Sequence, residues 1–591
     1  MSVNVATIFF DQAVFCEEAA ALNSLPEQAG TQVFGIDLSS PNGAIEALIA
    51  AKRAGVCCGV FAILPDPFEA TLDLILNSIA STADPNLQVD QFIALRIDQL
   101  MVNGRPPSEL TKMPAAHENA SALVLRLADI LLLASPGDVL RFNAIHTRLF
   151  RRFTLLPVSA AKAPSSFDES GVTIYAPSSD AARLAPYEAL LRQRRIEPTI
   201  IARANANDAL TTRVVVTPEW RPMRARALAA AGHRVVAPNT TGVDACDSRI
   251  IGYLPADYRS FLGALDNAFD SNGGASRIEP TAASVIQAVE HEAARFIDGP
   301  RVSIIVRTFD RPALLVRAIA SIANQSYKNI EIVVVNNGGE DVQSIVESAA
   351  AGRPFRYEVM PERKLISAAS NVGARVATGE YVGYLDDDDL LYGDHCARTA
   401  DALTRTKADL VFTVCVGEYA EIRGDEKHVL GYQVYLDRQY HPDDIYVSNM
   451  SPIHSIVHQR AIFERIGYFD EALPVTDDWE LWLRLASSGA RFVRIERATC
   501  EYSWRYDPTR GNMTVDHQMD FVRAFDAITD RYAQDVANRP GIRASQANAR
   551  AGQAQRAQDA LDPEKRASIV IGSMSSHIVP VAPDWERRSR T

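Results

Sequence analysis

Short apolar runs alternate with stretches of helical period along most of this chain, and that alternation restricts it to layered α/β folds. In the first 165 or so residues the runs are Val3–Phe10, Gln32–Ile36, Val56–Ile63, Leu131–Ala134 and Phe153–Val158. A second unit opens near Gly171. Its expected order is strand Val172–Ala176, helix Ala181–Arg194, strands Pro198–Ala202 and Arg213–Thr217, helix Met223–Ala231, a strand through Val235, and a helix over Pro255–Phe269. The turn-forming stretch Asp270–Ser276 reads as the approach to a linker, with a bridging helix around Ala282–Phe296. A third unit begins at the apolar strand Arg301–Val306 and runs to about Met513. Val522, Phe525, Ile528 and Tyr532 then recur at helical spacing, Ala544–Ala560 extends as helix, and the residues around Trp585 read as a loose tail. The expected division is 1–165, 170–285, 298–515 and 516–591.

A chain of 591 residues is too long for a single core. Its formal net charge of −13 argues against a general affinity for nucleic acid, whose phosphates reward a basic face. Seven scattered cysteines without a CxxC pair read as reduced, structural and cytosolic. No apolar run reaches the length of a membrane span, and no basic leader precedes Val3. Peripheral attachment at the inner face of a membrane and homo-oligomerisation stay open.

The chemistry concentrates in the third unit. There the strand Tyr381–Leu385 delivers four carboxylates, Asp386 to Asp389, into one short loop. Such a cluster repels itself unless a cation or water neutralises it. In an extended segment Asp386 and Asp388 project to one side, which makes them the natural pair for Mg²⁺ or Mn²⁺ and a substrate diphosphate. A solvated acidic turn or a helix N-terminus is the other reading of such a run. Two further strand ends point to the same sheet edge: Val302–Val306 into Thr308-Phe-Asp-Arg-Pro312, and Ile330–Val335 into Asn336-Asn-Gly-Gly339. The carboxyl edge of an α/β sheet is where nucleotides bind.

In these motifs, about residues 300 to 515 resemble the family 2 glycosyltransferases with the GT-A fold. The marks are Thr308–Pro312, Asn371-Val-Gly373 followed by Ala377–Tyr381, Leu385–Asp389, and Gly467–Glu471 ahead of Thr476-Asp-Asp-Trp-Glu-Leu-Trp-Leu-Arg484. The resemblance implies an inverting, metal-dependent transfer from a nucleotide diphosphate sugar to a glycan or lipid-linked acceptor, plausible in bacterial surface polysaccharide synthesis. It implies that Thr308, Phe309, Arg311, Asn336, Asn337 and Asn371 contact the nucleotide sugar together with Asp386 and Asp387. Asp388 is then the direct metal ligand, with Asp386 beside it, and Asp478 the catalytic base. A base role suits a carboxylate in the first turn of a helix, where the macrodipole favours the ionised form. An N-cap role is the structural alternative for Asp477 and Asp478.

The chain departs from the family at several points. Asn336-Asn337 stands where an aspartate pair is usual, Ser370 and Leu365 replace a frequent arginine and glycine, and Glu501–Arg505 lacks the histidine that often completes the metal site. Arg505 is a candidate to neutralise phosphate instead. His454 and His458 read as structural or acceptor-side. The segment Glu418–Asn449, rich in Tyr, His, Asp and Arg, lies where acceptors approach in that fold. The second unit is similar over a short stretch, Gly232–Gly242, to the donor half of GT-B glycosyltransferases, with Asp244 near a ribose-gripping position and Arg221, Arg224 and Arg226 as phosphate candidates. The fold class expected is therefore multidomain α/β: two Rossmann-like units, the second an active or degenerate GT-B-like transferase or an unrelated module, then a GT-A domain and a helical extension. A second active transferase in the first half, a sugar nucleotidyltransferase and a non-catalytic glycan-binding scaffold are the rival readings.

Overall fold

A computed structural model of the chain describes residues 6–11, 31–36, 41–54, 59–62, 123, 126–127, 130–133, 153–155, 163–176, 181–201, 210–218, 222–238, 248–253, 258–270, 298–423, 426–435, 441–506, 517–562, 565 and 579–580. The linker around Asp270–Ser276 beyond its first residue, the helix around Ala282–Phe296, Asp244 and the end around Trp585 lie outside the described residues.

The first five strands are β1 (Ala6–Asp11), β2 (Thr31–Ile36), β3 (Gly59–Ala62), β4 (Ile130–Leu133) and β5 (Phe153–Leu155). They form a wholly parallel sheet in the order β2-β1-β3-β4-β5. Every apolar run singled out in the first 165 residues contributes one of these strands. β6 (Asp168–Tyr175), β7 (Thr199–Ile201), β8 (Thr212–Val216), β9 (Arg234–Pro238) and β10 (Ile250–Tyr253) make a second parallel sheet in the order β10-β9-β8-β6-β7. Counted within each unit the two orders are the same, 2-1-3-4-5. This is the flavodoxin-like variant of the doubly wound sheet, not the six-stranded dinucleotide-binding order. Val214, Val215, Val216, Val235 and Val236 are wholly buried, as expected of strands covered on both faces.

The third sheet has ten strands. β11 (Val302–Thr308), β12 (Ile330–Asn336), β13 (Phe355–Val359) and β14 (Tyr381–Asp386) are parallel in the order β13-β12-β11-β14. The chain builds outward from β11 to β13 and then returns to the other side of β11. The loops leaving β11 and β14 therefore face each other at a topological switch point, where ligands of open α/β sheets bind. Beyond β14 the sheet turns antiparallel through β18 (Ile456–Gln459) and β16 (Leu410–Arg423). β16 pairs with β17 (Glu426–Tyr435) and, in parallel, with β19 (Phe492–Tyr506), while β15 (Leu390–Leu391) pairs with β19.

The helical extension belongs to this domain's core. Helix Gln518–Arg531 buries Val522, Phe525 and Ile528, the last two in the same cluster as Trp479 and Trp482. The tail differs from expectation at one point: β20 (Val579–Pro580) pairs antiparallel with Tyr432 and Gly431 of β17. A two-residue strand carries no periodic signal of its own. The first unit touches the third through helix Pro41–Arg53. Lys52 Nζ lies 3.1 Å from Asp394 Oδ2, and Arg53 reaches Glu501 and Glu418.

Candidate active site

At the carboxyl end of β11, Thr308 is buried and its hydroxyl donates to Asp387 Oδ2 at 2.9 Å. Asp310 adopts a left-handed backbone, φ 52°, and its carboxylate accepts from Glu340 N at 2.9 Å, while Asn337 N donates to Thr308 O. The loops after β11 and β12 are thus joined. Phe309 lies beneath the guanidinium of Arg363, 4.3 Å from the ring centre.

Asn336 and Asn337 shape this corner with their own amides. Asn336 Nδ2 donates to Glu340 O and Tyr357 Oη, and its Oδ1 accepts from Gly339 N. Asn337 makes a two-way pair with the backbone of Lys364, donating from Nδ2 and accepting at Oδ1, both at 2.9 Å. Gly338, next in the chain, has φ +81° and lies so close to Glu362 and Arg363 that a Cβ would meet their backbone at 2.5 Å. Only glycine fits that crossing. Asn371 is likewise engaged internally, bonding Phe469 O, Phe469 N and Glu471. The amide side chains of these three residues brace the loops rather than stand free for a ligand.

Three of the four aspartates find a guanidinium and the fourth a histidine ring nitrogen. Arg307, buried on β11, pairs with Asp386. Arg311 bridges Asp387 at 3.2 Å and Asp388 at 3.1 Å. Arg505 at the end of β19 also grips Asp388. His454 Nδ1 lies 2.9 Å from Asp389 Oδ2. The self-repulsion expected of the run is met largely within the fold. Burial, then Asp388, pushes the Asp387 carboxyl up to about 6 against the pull of Arg311 and Thr308.

Helix Asp477–Ser487 aims its first turn at the same edge, after Thr476 with φ 57°. Arg307 interacts electrostatically with Asp386, Asp477 and Asp478, so the aspartate loop and this helix start share one site. Asp478 Oδ2 accepts from Asn449 Nδ2 at 2.7 Å and its Oδ1 from Trp479 N at 2.8 Å. Burial pushes its carboxyl above the ordinary range, against those two hydrogen bonds and Arg307. The helix start alone does not fix the charge state, because desolvation acts the other way. Asp477 is buried, raised to about 7 by burial and by Asp478.

Arg307 and Asn449 did not stand out in the sequence. A serine at 370, where an arginine is frequent, was the available signal for the first: Arg307 Nη1 donates to Ser370 Oγ at 3.0 Å, so a guanidinium from β11 occupies that region. His458 is a core residue, bonded through Nε2 to Tyr384 Oη at 2.9 Å and lowered by burial to about 4. Arg226 of the second unit, a phosphate candidate in the sequence, is fully buried.

The residues fit a hard divalent cation. Asp386 Oδ2 and Asp388 Oδ1 have no partner among the described residues, and their side chains are 28% and 20% exposed. Two accessible carboxylate oxygens, with the rest left to water and phosphate, is the Mg²⁺ pattern.

The aspartate loop and the helix-borne Asp478 thus meet at the switch-point edge. Residues 303–465 match the model described as Glycosyl transferase family 2, and this part of the chain is a family 2 glycosyltransferase domain. Among curated relatives, an uncharacterized glycosyltransferase of Rickettsia typhi is 31% identical over 192 residues, covering 31% of this chain and 58% of its own. YwdF of Bacillus subtilis, also an uncharacterized glycosyltransferase, is 26% identical over 200 residues, or 34% of this chain and 72% of its own. The chain spans under two thirds of the length of the Rickettsia relatives it matches. Among solved structures, S. aureus TarS 1-349 in complex with UDP-GlcNAc is 15% identical, covering 49% of this chain and 92% of that chain with a TM-score of 0.30. Mannosyltransferase PcManGT from Pyrobaculum calidifontis in complex with GDP-Man and Mn²⁺ is 20% identical, covering 46% and 80% with a TM-score of 0.33. No helix among the described residues is long and apolar enough to cross a membrane.

Proposed function

We propose that the chain transfers a sugar, with inversion, from a nucleoside diphosphate donor to a hydroxyl of a glycan or lipid-linked acceptor, in bacterial surface polysaccharide synthesis. The observation that carries this reading is Arg307, which lies within electrostatic reach of both Asp386 and the Asp477-Asp478 helix start. Donor and base elements then face one volume.

Asp386 and Asp388 would hold Mg²⁺ or Mn²⁺, which would offset the negative charge of the leaving diphosphate. Arg311 and Arg505 stand beside the same carboxylates and serve the phosphate oxygens through their forked donors. Asp478 takes the proton of the acceptor hydroxyl. Both its oxygens already accept one hydrogen bond, yet each keeps a second lone pair. Asn449 and Trp479 N orient the carboxylate for that step. Thr308 positions Asp387, and the braced corner at Asn336-Asn337 supplies the wall for base and ribose with Phe309, while Asn371 holds the loop behind it. Tyr435, Tyr502 and Trp504 cluster with ring centres 5.2 to 6.1 Å apart, and such faces suit a sugar acceptor.

Nucleoside diphosphate release from a panel of donor sugars with Mn²⁺ tests the reading. Asp478→Asn is expected to lower turnover by about 10²- to 10⁴-fold. Donor affinity should stay within about threefold, because the base touches the acceptor. Undiminished turnover in this variant would remove Asp478 from the mechanism.

A further inference from the structure

Directly beneath the aspartate loop three soft ligand atoms converge inside the protein. Cys415 on β16 and Cys500 on β19 are register partners on neighbouring parallel strands. His454 comes from the short turn Ile453–Ser455. Cys415 Sγ and His454 Nε2 are 3.3 Å apart, and the two sulfurs and a ring nitrogen of His454 all lie within 4.8 Å of one another. All three side chains are buried, with exposures of 0%, 0% and 1%.

Buried cysteines are commonly small core residues and need no ligand. Two observations go beyond that. The atoms come from three separate elements and meet at one point. In addition, His454 Nδ1 is 2.9 Å from Asp389 Oδ2, and Asp389 Oδ1 is fixed by Ser503 N at 2.8 Å. With its Nδ1 proton directed to that carboxylate, the imidazole turns the Nε2 lone pair toward the sulfurs. A carboxylate behind a histidine is the arrangement that orients metal-bound imidazoles.

We propose that Cys415, Cys500 and His454 form an internal site for one Zn²⁺-class ion, separate from the hard-cation position at Asp386 and Asp388 and independent of the transferase reading. Thiolate and imidazole select a borderline-soft divalent ion, whereas an all-carboxylate pair selects Mg²⁺ or Mn²⁺. Zinc bonds of about 2.3 Å to sulfur and about 2.0 Å to nitrogen put tetrahedral ligand atoms about 3.5 to 3.8 Å apart. The widest separation here therefore has to close by at most about 1 Å, which side-chain torsion supplies. Thr413 Oγ1, 3.8 Å from Cys500 Sγ and held by Thr499 Oγ1 at 2.9 Å, is an oxygen within reach of the fourth position. Binding releases the two thiol protons to solvent and leaves the Nδ1 proton on His454. The ion would join β16, β19 and the 453–455 turn, and through Asp389 would anchor the floor of the donor loop.

The test uses the full chain, produced with zinc in the medium and passed through a chelator that strips weakly held Mg²⁺ and Mn²⁺. Metal analysis is expected to find about one tightly held zinc per chain. Cobalt(II) in its place should give thiolate-to-metal charge-transfer absorption. Cys500→Ser and His454→Gln should lower the zinc content by at least about tenfold, whereas Asp388→Ala should retain it. If those variants do not fold, alkylation of the wild-type chain decides: Cys415 and Cys500 should be protected until zinc is withdrawn. Substoichiometric zinc without a cobalt–thiolate band, equal alkylation with and without metal, or a Cys415–Cys500 disulfide in peptide maps would each overturn the proposal.

Discussion

Arg53 offers a direct test of how the first unit is attached to the transferase domain. Its guanidinium contacts Glu501 at 2.7 and 3.0 Å and also meets Glu418, two carboxylates whose side chains are 1% and 2% exposed. Burial by itself would raise the Glu418 carboxyl, but Arg53 and then Lys427 outweigh it and hold it at about 2 against an ordinary 4.5. The distance from 4.5 to about 2, at about 1.4 kcal/mol per pH unit, corresponds to a net stabilisation of roughly 3 kcal/mol by the two cations after the cost of burial is offset. Arg53→Met keeps the apolar stem and removes the charge. It forfeits roughly half of that interaction and leaves Glu501 buried with the Tyr392 hydroxyl, 3.1 Å away, as its remaining side-chain partner among the described residues. The expected cost is about 3 kcal/mol, at the low end for breaking a buried pair because the Arg53 side chain is itself 28% exposed. Amide hydrogen exchange over 410–423 and 492–506 reads this locally, without assuming that a multidomain chain unfolds in one step. Protection should fall by about a hundredfold at pH 7. Since the folded Glu418 is depressed, its stabilisation is full above pH 4.5 and is lost as pH falls toward 2, so the variant should lose less on acidification than the wild type. Adding Glu501→Gln to Arg53→Met should restore much of the protection by removing the stranded charge. Protection within about threefold of wild type in Arg53→Met would refute the clamp.

Two further outcomes concern the site. Asn449→Ala removes a hydrogen bond that lowers the Asp478 carboxyl. The acid limb of the turnover–pH profile should therefore move up by about one pH unit, equivalent to the ~1.5 kcal/mol of a hydrogen bond to a charged group; an unmoved limb refutes the assignment. Asp387 is raised to about 6, so the folded chain retains a proton that the unfolded chain releases near pH 4. That residue costs stability increasingly from pH 4 to 6 and constantly above, so Asp387→Asn should gain on wild type by up to roughly 3 kcal/mol across this window in thermal unfolding, where parallel curves would contradict it.

Much of the frame was legible in the chain because its signals are local. The strand β14 and its acidic exit, the proline that opens helix Pro312–Ala323, and the stripe Val522, Phe525, Ile528 are set by period and turn chemistry within a few residues. β10 was missed: four residues, Ile250–Tyr253, are too short for a periodic signal. The roles of the asparagines were not readable either, since Asn371 bonds Phe469, a residue 98 positions away.

The aspartate run divides the two kinds of information most clearly. Sequence by itself determined that four carboxylates leave one buried strand and require countercharge, because covalent adjacency forces their proximity whatever the fold. Only the tertiary structure decided what meets it: the guanidinium groups of Arg307, Arg311 and Arg505, and the ring nitrogen of His454, come from positions between 65 and 117 residues away. Contacts at such separation depend on strand order and register. Those arise from the packing of the whole sheet, and no local periodicity encodes them.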